Sequence, residues 1–291
     1  MKPSYISVII PTFNSVKSVT EAIRSLVKQT VKPLEIIVIN NASTDTTAET
    51  LRKLFGKTIK LYTLSKNEGV TGGRNFGIQK VSSLSQMILF VDHDIVADKK
   101  MIQELASSIK QSKKIGIVTP KIYYLKPKQI IWSAGTGINL WTGQVLFRGG
   151  RDQGQYDQLK QVDVAPAVLL VKKEVIKKVK EFDPIYFATY EDTDFCFKAK
   201  QFGFLTYYVP TAKAYHNLPY DHHDAQVRLL NRFYYIGRNR LIFLRRYGKI
   251  TAVPLSLGFS LYYLYLAFKY RRLSEFLNYL KGTIDGMTIR V

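Results

Sequence analysis

The sequence predicts an α/β fold with a mostly parallel central sheet flanked by helices. Short apolar, β-branched runs alternate with amphipathic stretches at helical spacing over the first hundred residues. Three of these runs end directly in polar clusters, the position at which parallel sheets bind ligands. The chain has 291 residues, 46% of them hydrophobic, and no internal repeat or long linker. That suffices for one large domain with a full core, alone or with a small appendage.

Ile6 to Ile10 reads as a buried strand closing at Pro11. Val16 to Gln29 follows with Val16, Val19, Ala22, Ile23, Leu26 and Val27 at helical spacing. Ile36 to Ile39 is the second strand, and the turn Asn40-Asn41-Ala42-Ser43-Thr44-Asp45 leads into a helix ending near Phe55. Ile59 to Leu64 alternates like a third strand, Gly72 to Lys80 reads as a helix, and Met87 to Val91 as the fourth strand. Strands and helices in strict alternation require right-handed crossovers and a parallel sheet. The polar residues after three strands, Thr12 to Asn14, Asn40 to Asp45 and Asp92 to Asp94, should therefore line one crevice.

Beyond residue 100 the pattern is mixed. A helix is expected from about Lys100 to Lys110, and strands at Ile115 to Thr119, Val164 to Val171 and Leu205 to Val209, the last stopped by Pro210. Phe195 to Gln201 reads as a helix with Gly203 as its C-cap. Residues 121–163, rich in glycine and aromatics, read as strands and loops of a substrate-binding region. Residues 250–268 carry no charged side chain and are flanked by Arg245, Arg246, Lys249, Lys269, Arg271 and Arg272. Nineteen uncharged residues just reach across a bilayer. Pro254, Gly258 and the tyrosines suit an interfacial or re-entrant helix pair better, and a packed internal helix is the third reading.

The formal net charge of +21 calls for an anionic partner. From Lys198 onward there are 15 Lys+Arg against 4 Asp+Glu, so the excess gathers in the last third beside the uncharged run. That placement suits an anionic membrane surface. Zinc, RNP and helix-turn-helix patterns are absent, which argues against nucleic acid. The single cysteine, Cys196, cannot form an intramolecular disulfide and fits a reducing, cytoplasmic compartment. The opening MKPSYISVIIPTFN has neither the apolar core nor the cleavage pattern of a secretory signal.

The chemistry-bearing residues fall in four places. Asp92-His93-Asp94 follows an apolar strand, and two carboxylates there can hold Mn²⁺ or Mg²⁺ together with substrate phosphates. Glu191-Asp192-Thr193-Asp194 opens an amphipathic helix behind an aromatic stretch, so one carboxylate can cap the helix and another serve as a general base. His216 lies past the strand at 205–209, within reach of a metal, whereas His222 and His223 read as loop residues. Asn67 to Asn75 is a glycine-rich stretch in which Gly72 and Gly73 permit close approach to a ligand and Arg74 can meet phosphate; it is neither a Walker loop nor a GxGxxG fingerprint.

In order, VIIPTFN, VINNASTD, NEGVTGGRN, FVDHD, FDPIYFATYEDTDFC, VPTAKAYH and YYIGRNRL resemble glycosyltransferase family 2, and within it the rhamnosyltransferase-like bacterial enzymes of surface polysaccharide synthesis. The resemblance covers roughly residues 4–248. It implies the GT-A fold, with 1–98 as nucleotide-binding half and 99–248 as acceptor-binding half; the uncharged run and its basic flanks make 249–291 the expected helical, membrane-associating extension. It implies donor contacts from Pro11, Thr12, Asn14, Asn41, Asp45, Gly72, Arg74 and Asp92, metal ligation by Asp94, Asp92 and His216, and catalysis by Asp192 with Glu191 beside it. The implied activity is inverting transfer from a nucleoside-diphosphate sugar to an acceptor hydroxyl, with a lipid-linked saccharide as acceptor, on the inner face of the cell membrane. Asn40 stands where many members have Asp, and Ala165-Pro166-Ala167 where many have a glycine-containing segment. A non-catalytic sugar-nucleotide-binding protein of the same fold is the competing reading, weakened by the joint presence of Asp92, Asp94, Asp192 and His216.

Overall fold

The computed structural model describes residues 5–249 and 258–291. Strands β1 (Ile6–Thr12), β2 (Glu35–Asn40), β3 (Lys60–Thr63) and β4 (Met87–Val91) are joined by helices α1 (Val16–Val27), α2 (Thr47–Phe55) and α3 (Gly69–Lys80). They form a parallel core in the order β3-β2-β1-β4. Both faces of β1, β2 and β4 are covered, which is why they read as unbroken apolar runs, whereas β3 at the edge is partly exposed and alternates. Val8, Ile10 and Val38 pack with Val19, Ile23 and Leu26 of α1, while Ile9, Ile37, Ile39 and Phe90 face Phe182, Phe195 and Cys196 on the other side. The order reverses at β1, so the loops after β1 and β4 part and leave a crevice at their carboxyl ends.

The chain continues through β5 (Ile95–Ala97), α4 (Met101–Ser108), β6 (Ile115–Tyr124), β7 (Ile130–Ser133), β8 (Thr136–Ile138), β9 (Val145–Phe147), β10 (Gly150–Arg151) and β11 (Lys160–Val162). Then follow β12 (Val168–Lys172), α5 (Lys173–Val179), α6 (Glu191–Gln201) and β13 (Leu205–His216). Antiparallel strands extend the parallel core: β12 lies between β4 and β6, and β7 and β10 continue the edge. β13 runs parallel to β6 and antiparallel to β5 and β11.

Three expectations are corrected. Pro210 does not stop its strand: β13 passes through it at an irregularity between Val209 and Lys213 and ends at His216. A proline is tolerated at such a bulge, where no ladder hydrogen bond is needed from it. Residues 164–167 precede β12 instead of starting it, because Ala167 adopts a left-handed conformation (φ 61°). His222 and His223 belong to a helix, α7 (His222–Leu230), capped by the Asp221 carboxylate, which accepts from the backbone N–H of His223 (2.8 Å) and of Asp224 (3.1 Å).

The chain divides into two compact units, one of 1–136, 147–187 and 191–218, the other of 137–146, 188–190 and 219–291. The division in the C-terminal part falls near 218, ahead of the sequence boundary at 248, because α7 and α8 (Phe233–Tyr247) group with α9 (Phe259–Lys269) and α10 (Leu273–Thr288). Within the second unit α8 and α10 approach closely. A Cβ at Gly286 would lie 2.5 Å from the Arg238 carbonyl, so only glycine fits. Arg240 is buried there under Phe259 and Tyr263 and donates to the Tyr279 hydroxyl at 2.7 Å. Asn239 donates to the carbonyls of Ala188 (2.7 Å) and Thr189 (3.0 Å), next to the left-handed residues Thr189 and Tyr190. Of the uncharged run at 250–268, residues 250–257 lie outside the described residues. Among those described, no helix is long and apolar enough to cross a membrane.

At the amino ends of the parallel strands Glu35 binds three elements together. Its carboxylate accepts from Ser7 Oγ (2.6 Å, β1), Lys60 Nζ (2.6 Å, β3) and the Ser82 N–H (2.7 Å, beyond α3). Burial alone would raise its pKa, but these donors outweigh burial and hold it below the ordinary value. A depressed pKa means that the stabilisation is complete above the unfolded-state value near 4.3 and fades as pH falls through the folded-state value. Glu35→Gln should cost about 1–3 kcal/mol at neutral pH in urea unfolding, and the gap to the parent should close below about pH 4.

Candidate active site

The carboxyl ends of β1, β2 and β4 meet as the strand order requires, and side chains knit their loops together. Asn14, left-handed at φ 46°, accepts from the Thr44 N–H (2.8 Å) and gives its own N–H to Ser43 Oγ (2.9 Å), tying the loop after β1 to the turn after β2. Asp45 accepts from the Thr47 N–H (3.0 Å) at the start of α2, and is exposed. Pro11 and Thr12 are buried at the end of β1. Asn41 is buried too: its amide donates to the Gly69 carbonyl (2.7 Å) and accepts from the Glu68 N–H (2.9 Å). That gives Asn41, an expected donor contact, the task of holding the start of α3. Gly72 lies in the first turns of α3, over the Glu68 side chain. A Cβ at Gly73 would stand 2.8 Å from that of Pro11, and one at Gly77 2.5 Å from Ile9 Cγ2, so these glycines let α3 lie directly on β1.

That close approach carries Arg74 into the interior, where its side chain is fully buried. Its guanidinium donates to the Asp92 carboxylate at 2.8 Å and to the Asp192 carboxylate, with Glu191 Oε1 at 3.8 Å. The Phe182 ring lies 5.0 Å from the guanidinium carbon. Arg74 was expected to face phosphate; here it faces three carboxylates and joins the motif after β4 to the first turn of α6. Neighbouring Asn75 secures the same segment, donating to the Phe182 carbonyl (2.8 Å) and accepting from its N–H (2.9 Å). The Ala167 peptide bonds the two ends of the site: its N–H donates to Asp192 Oδ2 (3.2 Å) and its carbonyl accepts from the Asp92 N–H (3.0 Å).

One cation among three carboxylates leaves an excess of negative charge in a desolvated place. Burial, and then the Asp192 charge, push the Glu191 pKa upward. Burial also raises Asp192, with Asp92 adding to it, but Arg74 bonds Asp192 directly and opposes the rise. Glu191 lies farther from the guanidinium than Asp192, and its buried Oε2 lacks a hydrogen-bond partner among the described residues.

The second constellation lies at the end of β5 and β13. Asp94 Oδ1 is 3.1 Å from His216 Nε2, and the Asn217 N–H donates to the Asp94 carbonyl (2.8 Å). Burial would raise the Asp94 pKa, but His216 outweighs it and holds it down to about 2. The Trp132 ring packs edge-to-face on His216, centroids 4.4 Å apart. A carboxylate oxygen and an imidazole nitrogen at this spacing fit Mn²⁺ or Mg²⁺, whose remaining positions would go to diphosphate and water. Asp92, the third expected ligand, stands apart from the pair on Arg74. Among the described residues the three-membered metal-type cluster is Asp221, His223 and Asp224, exposed at the start of α7. Cys196 is buried in the core, its thiol pushed up to about 12 by burial.

Sequence reasoning missed the roles of Asn75, Trp132 and Ala167. Asn75 and Ala167 lay inside quoted motifs without an assigned task, and no local pattern marks Trp132, which reaches His216 only through strand pairing.

The model of Glycosyl transferase family 2 matches residues 7–180. Minor teichoic acid biosynthesis protein GgaA of Bacillus subtilis is 28% identical over 129 residues, 42% of this chain and 29% of GgaA. Poly(ribitol-phosphate) beta-N-acetylglucosaminyltransferase TarS of Staphylococcus aureus is 35% identical over 107 residues, 35% of this chain and 18% of TarS. The chain thus matches less than a third of the length of either relative. Among solved structures, GalNAc-T7 with UDP, GalNAc and Mn²⁺ superposes with a TM-score of 0.64 at 18% identity, over 89% of this chain and 54% of that one. The shared fold is GT-A.

Arg74→Met should lower stability by about 3–5 kcal/mol near neutral pH, because it strands buried carboxylates without their cation. Without Arg74 their pKa values rise, so the deficit should shrink as pH is lowered toward 5, which denaturant titrations at several pH values will show.

Proposed function

The chain belongs to glycosyltransferase family 2, and on that premise we propose that it moves a sugar from a nucleoside-diphosphate donor to an acceptor hydroxyl with inversion, Asp192 acting as general base. The observation that carries this reading is the Asp192 carboxylate, held by Arg74 and by the Ala167 N–H at the crevice beside Asp92 and Asp94. Donor contacts are proposed at Pro11, Thr12, Asn14, Asp45 and Asp92, around the strand ends. The similar GalNAc-T7 structure is one with UDP, GalNAc and Mn²⁺.

In the proposed step, Asp192 removes the proton of the acceptor hydroxyl, whose oxygen forms a bond to the anomeric carbon as the bond to the donor phosphate oxygen breaks. Arg74 opposes the rise of the Asp192 pKa and fixes the direction of its carboxylate. A divalent cation, Mn²⁺ or Mg²⁺, held by Asp94 and His216 would supply positive charge to the departing diphosphate.

The proposed acceptor is a lipid-linked saccharide of a surface polysaccharide, met at the inner face of the cell membrane. The similarity to GgaA, a minor teichoic acid biosynthesis protein, and to TarS, a poly(ribitol-phosphate) beta-N-acetylglucosaminyltransferase, supports a surface polymer. Support for a membrane contact comes from α9 and α10. Leu261, Leu264, Tyr265 and Phe268 form one exposed stripe of α9, and Leu273, Leu277, Ile284 and Met287 one of α10. Lys269, Arg271 and Arg272 lie between the two helices and suit anionic headgroups.

A thermal-shift screen with UDP, dTDP and GDP, with and without Mn²⁺, should find one nucleotide that raises the unfolding midpoint only with metal, and Asp94→Ala should abolish that rise. With the donor so named, Asp192→Asn should reduce kcat by about 10²–10⁴-fold while donor binding persists. Metal-independent stabilisation, or turnover retained in the Asn variant, would refute the assignment. In vesicle sedimentation the protein should partition onto phosphatidylglycerol and far less onto phosphatidylcholine; Leu261→Asp with Phe268→Asp should release it.

A further inference from the structure

Helix α1 has a buried side, with Val19, Ala22, Ile23 and Leu26, and a polar stripe, Glu21, Arg24, Ser25 and Lys28, at the i, i+3, i+4, i+7 spacing of one helix face. The stripe walls a groove of about 410 Å³, closed from the other side by Val96 and Ala97 of β5, by Lys99 and by Leu125. That volume falls within the range of small-molecule sites.

The charges around the groove are unbalanced. Arg24 in the last turn of α1 and Lys28 at its C-cap are like charges at i, i+4, and Lys99 adds a third cation from across the groove. Among the described residues none of the three makes an ion pair. The single acid in the wall, Glu21, has the spacing to pair with Arg24 but accepts from Asn217 Nδ2 (3.1 Å) instead. Asn217 follows His216 and gives its backbone N–H to the Asp94 carbonyl. The one carboxylate is thereby withheld from the cations and bound to the strand ends that carry Asp94 and His216.

We propose that this groove binds an organic phosphodiester, its anionic oxygens among Arg24, Lys28 and Lys99 and its carbon portion against Val96, Ala97 and Leu125. The site is separate from the Arg74 cluster and does not depend on the donor assignment. Such a diester comes either from a soluble polyol-phosphate chain or from a phospholipid headgroup, and the test separates the two.

The full chain is titrated calorimetrically at low ionic strength with glycerophosphoglycerol and with inorganic phosphate, and sedimented with phosphatidylglycerol vesicles. The parent and the double variant Arg24→Gln, Lys28→Gln are compared, with Lys28→Glu as a third protein. Saturable binding of glycerophosphoglycerol, tighter than that of phosphate and weakened at least about tenfold in the double variant, is expected. Lys28→Glu, which reverses one of the three charges, should lose the diester. Vesicle binding that the double variant loses, without binding of the soluble diester, assigns the groove to a lipid headgroup. Equal diester affinity in parent and double variant, phosphate binding as tight as the diester, or full diester binding by Lys28→Glu would each overturn the proposal. The metal-dependent nucleotide response of the double variant, measured alongside, keeps this result independent of the donor site.

Discussion

The buried guanidinium of Arg74 is the interaction on which the site depends. A charge without solvent must find partners, and Arg74 finds them on two pieces of chain far apart in sequence, Asp92 after β4 and Asp192 in the first turn of α6. Either partner removed leaves the other elements facing an uncompensated charge. The glycines of α3 are the structural condition for this arrangement. Only because Gly73 and Gly77 admit β1 at close range does α3 sit deep enough to bring its arginine beneath both acids.

From that cation the strain and order of the neighbouring backbone follow. Ala167 adopts a left-handed conformation, costly for a residue with a Cβ, at the point where its peptide bonds both Asp92 and Asp192. Asn75, next to Arg74, fixes the backbone at Phe182 in the same way. The departure from a glycine-containing segment at 165–167 is therefore a place where this chain bears strain that glycine would not.

The fold separates two electrostatic tasks. Around Arg74 burial and an excess of carboxylates push the pKa values of Glu191 and Asp192 upward, while Asp192 stays bonded to its cation. At Asp94 a single carboxylate facing His216 is driven the other way, to about 2, and stays ionised across the physiological range. Two acids of the same motif, Asp92 and Asp94, thus take different partners across a tight turn, in which the Ile95 N–H donates to the Asp92 carbonyl (3.1 Å).

Much of this was legible in the amino-acid sequence. The parallel core from Ile6 to Val91 followed from alternating apolar runs, because strands covered on both faces leave little other choice of residue. The acidic clusters and His216 stood out because they followed those runs. Local chemistry could not tell where side chains turn. Asn41 and Arg74 have tasks that no local pattern shows, one holding a loop and the other an ion cluster. The continuation of β13 through Pro210, the contact of Trp132 with His216, and the capture of Glu21 by Asn217 depend on pairing between strands and helices far apart in the chain. Sequence alone determined which elements form and which residue types gather at their ends, since propensity and burial act along the chain. The tertiary structure decided which acid meets which cation, since that is fixed by distances across the sheet that no local pattern records.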